Sequence, residues 1–117
     1  MEGAGLQVFG ERLEGRYILK LSGEIDLATA RQFEDAIRLA ATVAERIVVL
    51  DLSEVAYIDS TGVTALLQLE TAARADVDRL RFLRRFQPEV EAVLRVSGVY
   101  DELQFIEPET LRRPNRR

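Results

Sequence analysis

The chain of 117 residues contains no cysteine and no histidine. Without cysteine, disulfides, thiolate catalysis and zinc sites built on thiolates are excluded. Without histidine, the commonest general base and the commonest metal ligand are both missing. A Ser-His-Asp hydrolase therefore cannot be assembled within this chain.

Long apolar runs are also absent. No continuous apolar segment approaches the roughly 20 residues that span a bilayer. The first residues, MEGAGLQVFGERLEGR, lack the basic start and apolar block of a signal peptide. A net charge of −4 argues against general affinity for nucleic acid, and a short basic tail, RRPNRR, is typical of a solvated terminus. We expect a cytoplasmic protein with no membrane insertion and no direct nucleic-acid contact.

Two segments near the start alternate apolar and polar residues, although imperfectly. Leu6–Leu13 and Arg16–Ile25 have the pattern of β-strands. Glu14 and Gly15 between them suit a tight turn. The sequence therefore predicts an antiparallel hairpin at the start of the fold.

After the hairpin, the apolar period alternates between that of helices and that of strands. The predicted elements are a helix at 27–45 capped by Asp26 or Thr29, a central strand at 46–53 that ends near Leu52, a helix at 63–75, an arginine-rich strand towards an edge at 79–86, a helix at 88–98 and a short strand at 102–107. We expect one α/β domain over 1–117, with a core at about 6–106, a flexible tail at 107–117 and a mixed sheet layered with helices.

The same periodicity predicts which side chains face the core. The predicted buried positions are Phe33, Ile37, Ala40, Ala41 and Ala44 in the first helix, Val63, Leu66, Leu67, Leu69 and Ala73 in the second, and Val90, Val93 and Leu94 in the third. Asp51 is expected to end the central strand and to face solvent.

A polar segment, Asp59-Ser60-Thr61-Gly62, separates the central strand from the second helix. A hydroxyl there can cap the free N–H groups of the helix, and Gly62 permits a tight entry. However, Asp59 could cap the helix alone, so the Ser-Thr pair is redundant as a cap. A phosphoryl group on Ser60 would be favoured by the helix dipole. The pattern leaves open both a cap and a modification site.

Three segments resemble the signature regions of the STAS domain, and in particular its free-standing bacterial form, the anti-sigma factor antagonist. They are SGEIDLATA at 22–30, VVLDLSEVAYIDSTGVTALL at 48–67 and QPEVEAVLRVSGVYDELQF at 87–105. The resemblance implies that a partner kinase, itself an anti-sigma factor, phosphorylates Ser60. It also implies partner contacts by Asp59, Thr61 and Gly62, with Asp26 on the same surface.

The resemblance further implies a switch in transcription. The unphosphorylated protein binds the anti-sigma factor kinase and frees a sigma factor, the phosphorylated protein releases the kinase, and a protein phosphatase resets the cycle. Such a protein needs no cofactor and no metal, and it has no catalysis of its own.

Three other functions remain open at this point. A STAS subunit or scaffold of a lipid-transport or stress-sensing complex would use the same surface without a phospho-switch. A phosphorelay receiver would use Asp51, but the only lysine is Lys20, too early in the chain for that chemistry. An enzyme could use Asp26, Asp51 and Asp59 for acid–base work or to bind a divalent ion, although the chain has no phosphate-binding loop of P-loop spacing.

Overall fold

The computed structural model describes residues 5–44, 46–76 and 79–112. These residues form a five-stranded sheet in the order β1-β2-β3-β4-β5. The elements are β1 (Leu6–Leu13), β2 (Arg16–Ile25), α1 (Ala30–Val43), β3 (Val48–Ile58), α2 (Ser60–Asp76), β4 (Leu80–Leu83), α3 (Pro88–Val96), a 3₁₀ turn (Tyr100–Glu102), β5 (Phe105–Ile106) and α4 (Pro108–Arg112). Strands β1 and β2 are antiparallel, and the other neighbouring pairs are parallel. The predicted mixed α/β architecture is confirmed.

The opening hairpin has the predicted bounds. Glu14 and Gly15 connect the two strands with φ angles of 54° and 86°. Positive φ at both central residues is the geometry of a type I′ turn, whose twist matches that of the flanking strands. The turn chemistry therefore fixes the register of β1 on β2.

The predicted end of the central strand near Leu52 is wrong. Strand β3 continues to Ile58 and stays paired with β2, ending at the pair Ile25↔Ile58. Two register irregularities, opposite Lys20–Ser22 and opposite Gly23–Glu24, each place one extra residue in β3. Such irregularities break the regular alternation of side chains, which hides the second half of β3 in the sequence.

The prediction for Asp51 is also wrong, because this residue lies within β3 and is buried. Its Oδ1 accepts hydrogen bonds from the backbone N–H of Ser53 at 2.9 Å and from the Ser53 hydroxyl at 2.6 Å. A buried carboxylate is tolerated where hydrogen bonds replace the lost water. Asp51 therefore has a structural role, in which it holds Ser53 within β3.

The arginine-rich strand is not an edge strand. β4 lies between β3 and β5, and its N–H at Phe82 donates to the Gln104 carbonyl at 2.7 Å. Arg81 lies within the strand, whereas Arg79, Arg84 and Arg85 flank it. Arg84 donates to Glu107 at 2.8 Å and stacks over Phe105 at 4.2 Å. This hydrogen bond raises the pKa of Arg84.

The hydrophobic core joins the sheet to the helices. Its largest fully buried side chains are Phe33, Phe82, Leu21, Ile25, Leu50, Leu52, Leu66, Leu94, Val49, Val55 and Val90. Three predicted core positions are wrong, because Ala41, Leu67 and Val93 are exposed. Helical spacing identifies the correct face of each helix but not its width.

The side chain of Arg79 contacts the C-terminal end of α1. Arg79 donates to the carbonyls of Ala41 at 3.4 Å and Ala44 at 2.6 Å at the C-terminal end of α1, and to that of Arg46 at 2.8 Å in the segment that follows. Residues 108–112, assigned by sequence to the tail, form the short helix α4, and 113–117 lie outside the described residues. Within the described ranges, no helix has the length and apolar character needed to cross a membrane.

Candidate functional site

The parallel pairing of β2 and β3 brings two predicted site residues together. The last residue pair is Ile25↔Ile58, and each strand is followed directly by an aspartate, Asp26 and Asp59. The N–H of Asp59 donates to the Ile25 carbonyl at 3.2 Å. The carboxyl ends of β2 and β3 thus place Asp26 beside the polar segment 59–62.

Asp26 organises the turn that leads into α1. Its Oδ1 accepts from the N–H groups of Ala28 at 3.0 Å and Thr29 at 3.1 Å. The Thr29 hydroxyl accepts from the Asp26 N–H at 3.0 Å and donates to the Glu24 carbonyl at 2.8 Å. Thr29 occupies the N-cap position of α1 but makes no side-chain hydrogen bond to the helix. The Asp26 side chain holds the preceding turn, and only its backbone carbonyl reaches α1, where it accepts from the Ala30 N–H at 2.8 Å.

Asp59 is the cap of α2. Its Oδ1 accepts from the N–H of Gly62 at 3.0 Å, and its carbonyl accepts from the N–H of Val63 at 2.9 Å. Ser60 and Thr61 are the first two residues of the helix itself. Within the described residues, neither hydroxyl has a hydrogen-bond partner. Capping therefore explains Asp59 and leaves both hydroxyls uncommitted.

Ser60 and Thr61 differ in accessibility. Ser60 is exposed, whereas Thr61 is half-buried. Both lie in the first turn of α2, where backbone N–H groups lack helical partners and the dipole favours negative charge. The Ser60 hydroxyl is the one open to a macromolecular active site.

Gly62 is buried and faces the interior of the protein. A Cβ atom at this position would lie 2.5 Å from the Ile25 carbonyl oxygen and 2.7 Å from Cγ1 of Ile58. The glycine allows α2 to approach the ends of β2 and β3 closely. It thereby allows the first turn of α2, which includes Ser60, to pack against the ends of β2 and β3.

Two grooves flank Ser60. The α1–α2 groove, of about 260 Å³, has a largely polar lining: Ala30, Glu34, Ser60, Thr61, Thr64, Ala65 and Gln68. The α2–α3 groove, of about 590 Å³, is largely apolar: Tyr57, Ile58, Asp59, Ser60, Val63, Ala92, Val93, Val96 and Ser97. Ser60 lies on the ridge between them.

The α2–α3 groove exposes large apolar side chains to solvent. Tyr57 is 50% exposed and Val96 is 89% exposed. Contiguous apolar surface of this kind is typical of protein–protein contact sites. Ser60 is therefore adjacent to a surface suited to docking another protein.

The charges around Ser60 are negative. Asp59 precedes it, Asp26 follows the neighbouring strand, and Glu34 lines the α1–α2 groove. No arginine or lysine in the described part of the chain lines either groove. The described residues also contain no group of three or more His, Cys, Asp or Glu that could hold a metal ion.

Sequence reasoning missed several residues of this surface. The predicted strand end near Leu52 places Tyr57 in a connection, and helical spacing places Val93 in the core. No sequence pattern marks Glu34 or Val96 as part of this surface, since the position of an exposed residue on a helix does not show which residues lie beside it in the fold. The capping pattern of Asp59 was the detectable part of the site.

Comparison with known proteins identifies relatives. The family model described as "Mlab, STAS domain" matches residues 9–107. A curated protein of Bordetella bronchiseptica named "Putative anti-sigma factor antagonist BtrV" is 32% identical over 88 residues, which is 75% of each chain. The family-model match includes the polar segment 59–62.

Two solved structures have a similar fold. An anti-sigma factor antagonist from Mycobacterium paratuberculosis superposes with a TM-score of 0.71 at 22% identity, covering 92% of this chain and 95% of that one. The anti-sigma factor antagonist SpoIIAA in its unphosphorylated form gives a TM-score of 0.68 at 22% identity, covering 89% and 91%. At this identity the likeness concerns the fold.

Proposed function

The chain belongs to the STAS-domain family, and from this premise we propose that it is an anti-sigma factor antagonist switched by phosphorylation of Ser60. The observation that carries the proposal is the exposed Ser60 hydroxyl at the start of α2, left uncommitted because Asp59 caps the helix. Unphosphorylated, the protein binds an anti-sigma factor that is also a serine kinase, and a sigma factor is freed. Phosphorylated, it releases the kinase, and a protein phosphatase restores it.

The accessibility of the two hydroxyls supports Ser60 as the phosphoacceptor. A kinase must bring the γ-phosphate of ATP in line with the attacking oxygen. The hydroxyl of Ser60 is exposed for such an approach, whereas Thr61 is half-buried beside the α1–α2 groove. The kinase supplies the catalytic groups, so this chain acts as a substrate and a binding partner.

Electrostatics supports release on phosphorylation. A phosphoryl group adds about −1.5 to −2 charge at pH 7, next to Asp59 and near Asp26 and Glu34. Because no arginine or lysine of the described residues lines the adjacent grooves, this chain does not neutralise the added charge. A partner matched to the uncharged hydroxyl then meets a repulsive or unsatisfied contact, while the helix dipole keeps the fold stable.

The remaining predicted site residues have distinct proposed roles. Asp26, Asp59 and Thr61 contact the partner at the carboxyl end of the sheet, and Tyr57 and Val96 add an apolar docking surface. Gly62 acts indirectly by holding α2 against Ile25 and Ile58. No cofactor takes part.

Affinity purification from the source organism tests the proposal. Tagged wild-type and Ser60→Asp chains serve as baits, and Thr71→Asp, at an exposed position of α2 that lines neither groove, is the matched control. We expect the wild type and the control to capture a serine kinase that Ser60→Asp does not capture. Incubation with that kinase and ATP should place phosphate on Ser60 by mass spectrometry. Phosphate on Thr61 or Ser53 would contradict the assignment.

The description of the matched family model favours a second candidate function. Because that model is described as "Mlab, STAS domain", the chain could instead be a STAS subunit or scaffold of a lipid-transport or stress-sensing complex, without a phospho-switch. In that case the wild-type and Ser60→Asp baits capture the same transporter or scaffold proteins, and no phosphate is found on Ser60.

A further inference from the structure

Strand β1 forms one edge of the sheet, and its hydrogen-bonding pattern shows which backbone groups face outward. The N–H of Glu24 donates to the Gly5 carbonyl at 2.8 Å. In the uninterrupted antiparallel register, Phe9↔Lys20 is then also a hydrogen-bonded pair. The alternate residues of β1 direct their N–H and C=O groups away from β2: Leu6, Val8, Gly10 and Arg12. Among the described residues, only the Leu6 carbonyl has a partner there, the amide of Gln32 at 2.9 Å.

Large apolar side chains flank this edge on both faces of the sheet. On one face Phe9 is 62% exposed, and on the other Leu39 of α1 is 68% exposed. Leu39 lies in a groove of about 510 Å³ between α1 and β1, which is lined by Val8 and Ala36 and also by the polar side chains of Arg31, Gln32 and Asp35. Exposed edge strands are usually protected by charge, proline or bulges, and the centre of β1, Val8-Phe9-Gly10, has none of these.

We propose that a second copy of this chain pairs with β1 in antiparallel orientation, giving a continuous sheet across a twofold axis. The axis is perpendicular to the sheet, so both copies of Phe9 lie on one face and both α1 helices lie on the other. The pairing supplies partners for the outward backbone groups of Val8, Gly10 and Arg12.

Charge excludes one twofold register of β1, and the aromatic side chain of Phe9 favours another. A twofold pairing centred on Glu11 opposes two carboxylates, which is unfavourable. A pairing centred on Gly10 buries Phe9 against Glu11. A pairing centred on Phe9 opposes the two aromatic rings and places Gln7 opposite Glu11, with no like charges facing each other. Aromatic pairs are among the favourable cross-strand contacts, so Phe9 opposite Phe9 is the proposed register.

The absence of cysteine provides a direct test of this register. In the proposed interface Phe9 is a non-hydrogen-bonded pair, with Cα atoms about 4.5 Å apart, within the range that a disulfide accepts. Under mild oxidation, Phe9→Cys should form a covalent dimer at least about tenfold faster than Val96→Cys, because pairing raises the effective thiol concentration. Val96, 89% exposed on α3, is the control for random collision.

A mixed experiment separates this register from the alternatives. Gln7→Cys and Glu11→Cys should cross-link with each other faster than either does with itself. In the register centred on Gly10, Phe9→Cys and Glu11→Cys would be the fast pair instead. Equal rates for Phe9→Cys and Val96→Cys would overturn the proposal.

Sedimentation of the wild-type chain tests the association without a cross-link. We expect the mass to rise with concentration from 13.2 kDa towards twice that value, and Phe9→Lys to remain monomeric with an unchanged far-UV circular dichroism spectrum. Ser60→Asp should dimerise like the wild type, which keeps this test independent of the phospho-switch. A wild type that stays monomeric, or a dimer that persists in Phe9→Lys, would show the proposal to be wrong.

Discussion

The Asp59 carboxylate accepts a hydrogen bond from the backbone N–H of Gly62 at 3.0 Å, and this contact separates structure from switching in the polar segment 59–62. The aspartate closes the first turn of α2, and the glycine lets that turn rest on β2. Ser60, between them in sequence, contributes to neither interaction. A modification at Ser60 can therefore change the surface without removing a contact that holds the fold.

Asp59→Ala should lower the free energy of unfolding by about 1 kcal/mol, because the N-cap hydrogen bond is lost. Asp59→Asn should retain most of the stability, since asparagine caps as well as aspartate. Ser60→Ala is the matched control and should change stability by less than about 0.5 kcal/mol. Urea denaturation of the three variants measures the differences. An equal loss in Asp59→Ala and Ser60→Ala would contradict the assignment of the cap.

Gly62→Ala should lower the free energy of unfolding by about 2 kcal/mol, because the new methyl group would overlap the Ile25 carbonyl oxygen, 2.5 Å away. The backbone of β2 cannot move aside as a flexible side chain could. Thr64→Ala, an exposed position in the same helix, should be close to neutral or slightly stabilising. Thermal and urea unfolding compare the two alanines, and equal stability would show that α2 can shift at no cost.

The parts of the fold that local chemistry determines were predictable from the sequence. The hairpin bounds follow from the Glu14-Gly15 turn and from the alternation on either side of it. The end of β3 was not predictable, because the extra residues in β3 break its alternation, and only the pairing with β2 shows that Ser53 and Glu54 belong to a strand.

The candidate site divides in the same way. The uncommitted hydroxyl of Ser60 could be argued from Asp59 alone, since an aspartate can cap the helix that follows it. The proximity of Asp26 came only from resemblance, because it depends on parallel pairing of strands far apart in sequence. Tyr57 and Val96 meet only in the folded α2–α3 groove, so no local pattern could assign them to one surface.

Ser60→Asp should abolish binding to the kinase while changing the free energy of unfolding by less than about 1 kcal/mol, because the side chain is exposed and the helix dipole favours a negative charge there. Ser60→Ala should bind the kinase constitutively and accept no phosphate. Titration calorimetry with the purified kinase and urea denaturation give the two readouts. Loss of the fold in Ser60→Asp would contradict a switch that acts at the surface.

Arg79→Met should lower the free energy of unfolding by about 2 kcal/mol, because it leaves carbonyls at the end of α1 without their donor. Methionine retains the length of the apolar stem, so the change reports mainly on the guanidinium. Arg38→Met, whose guanidinium pairs with an exposed carboxylate of Asp35 at 3.3 Å, is the control and should change stability by less than about 0.5 kcal/mol. Similar losses in the two variants would mean that the Arg79 contacts add nothing beyond a surface charge.

Val96→Glu should weaken binding of the kinase about tenfold or more, equivalent to about 1.4 kcal/mol, because it places a carboxylate in the apolar α2–α3 groove beside Ser60. The side chain is 89% exposed in the free protein, so the fold should tolerate the change. Val43→Glu introduces the same charge on α1, outside both grooves, and should bind like the wild type. The kinase affinities of the two variants, measured side by side, distinguish a local contact from a general effect of net charge. Equal affinities would exclude the α2–α3 groove from the docking surface and would leave the α1–α2 groove as the contact next to Ser60.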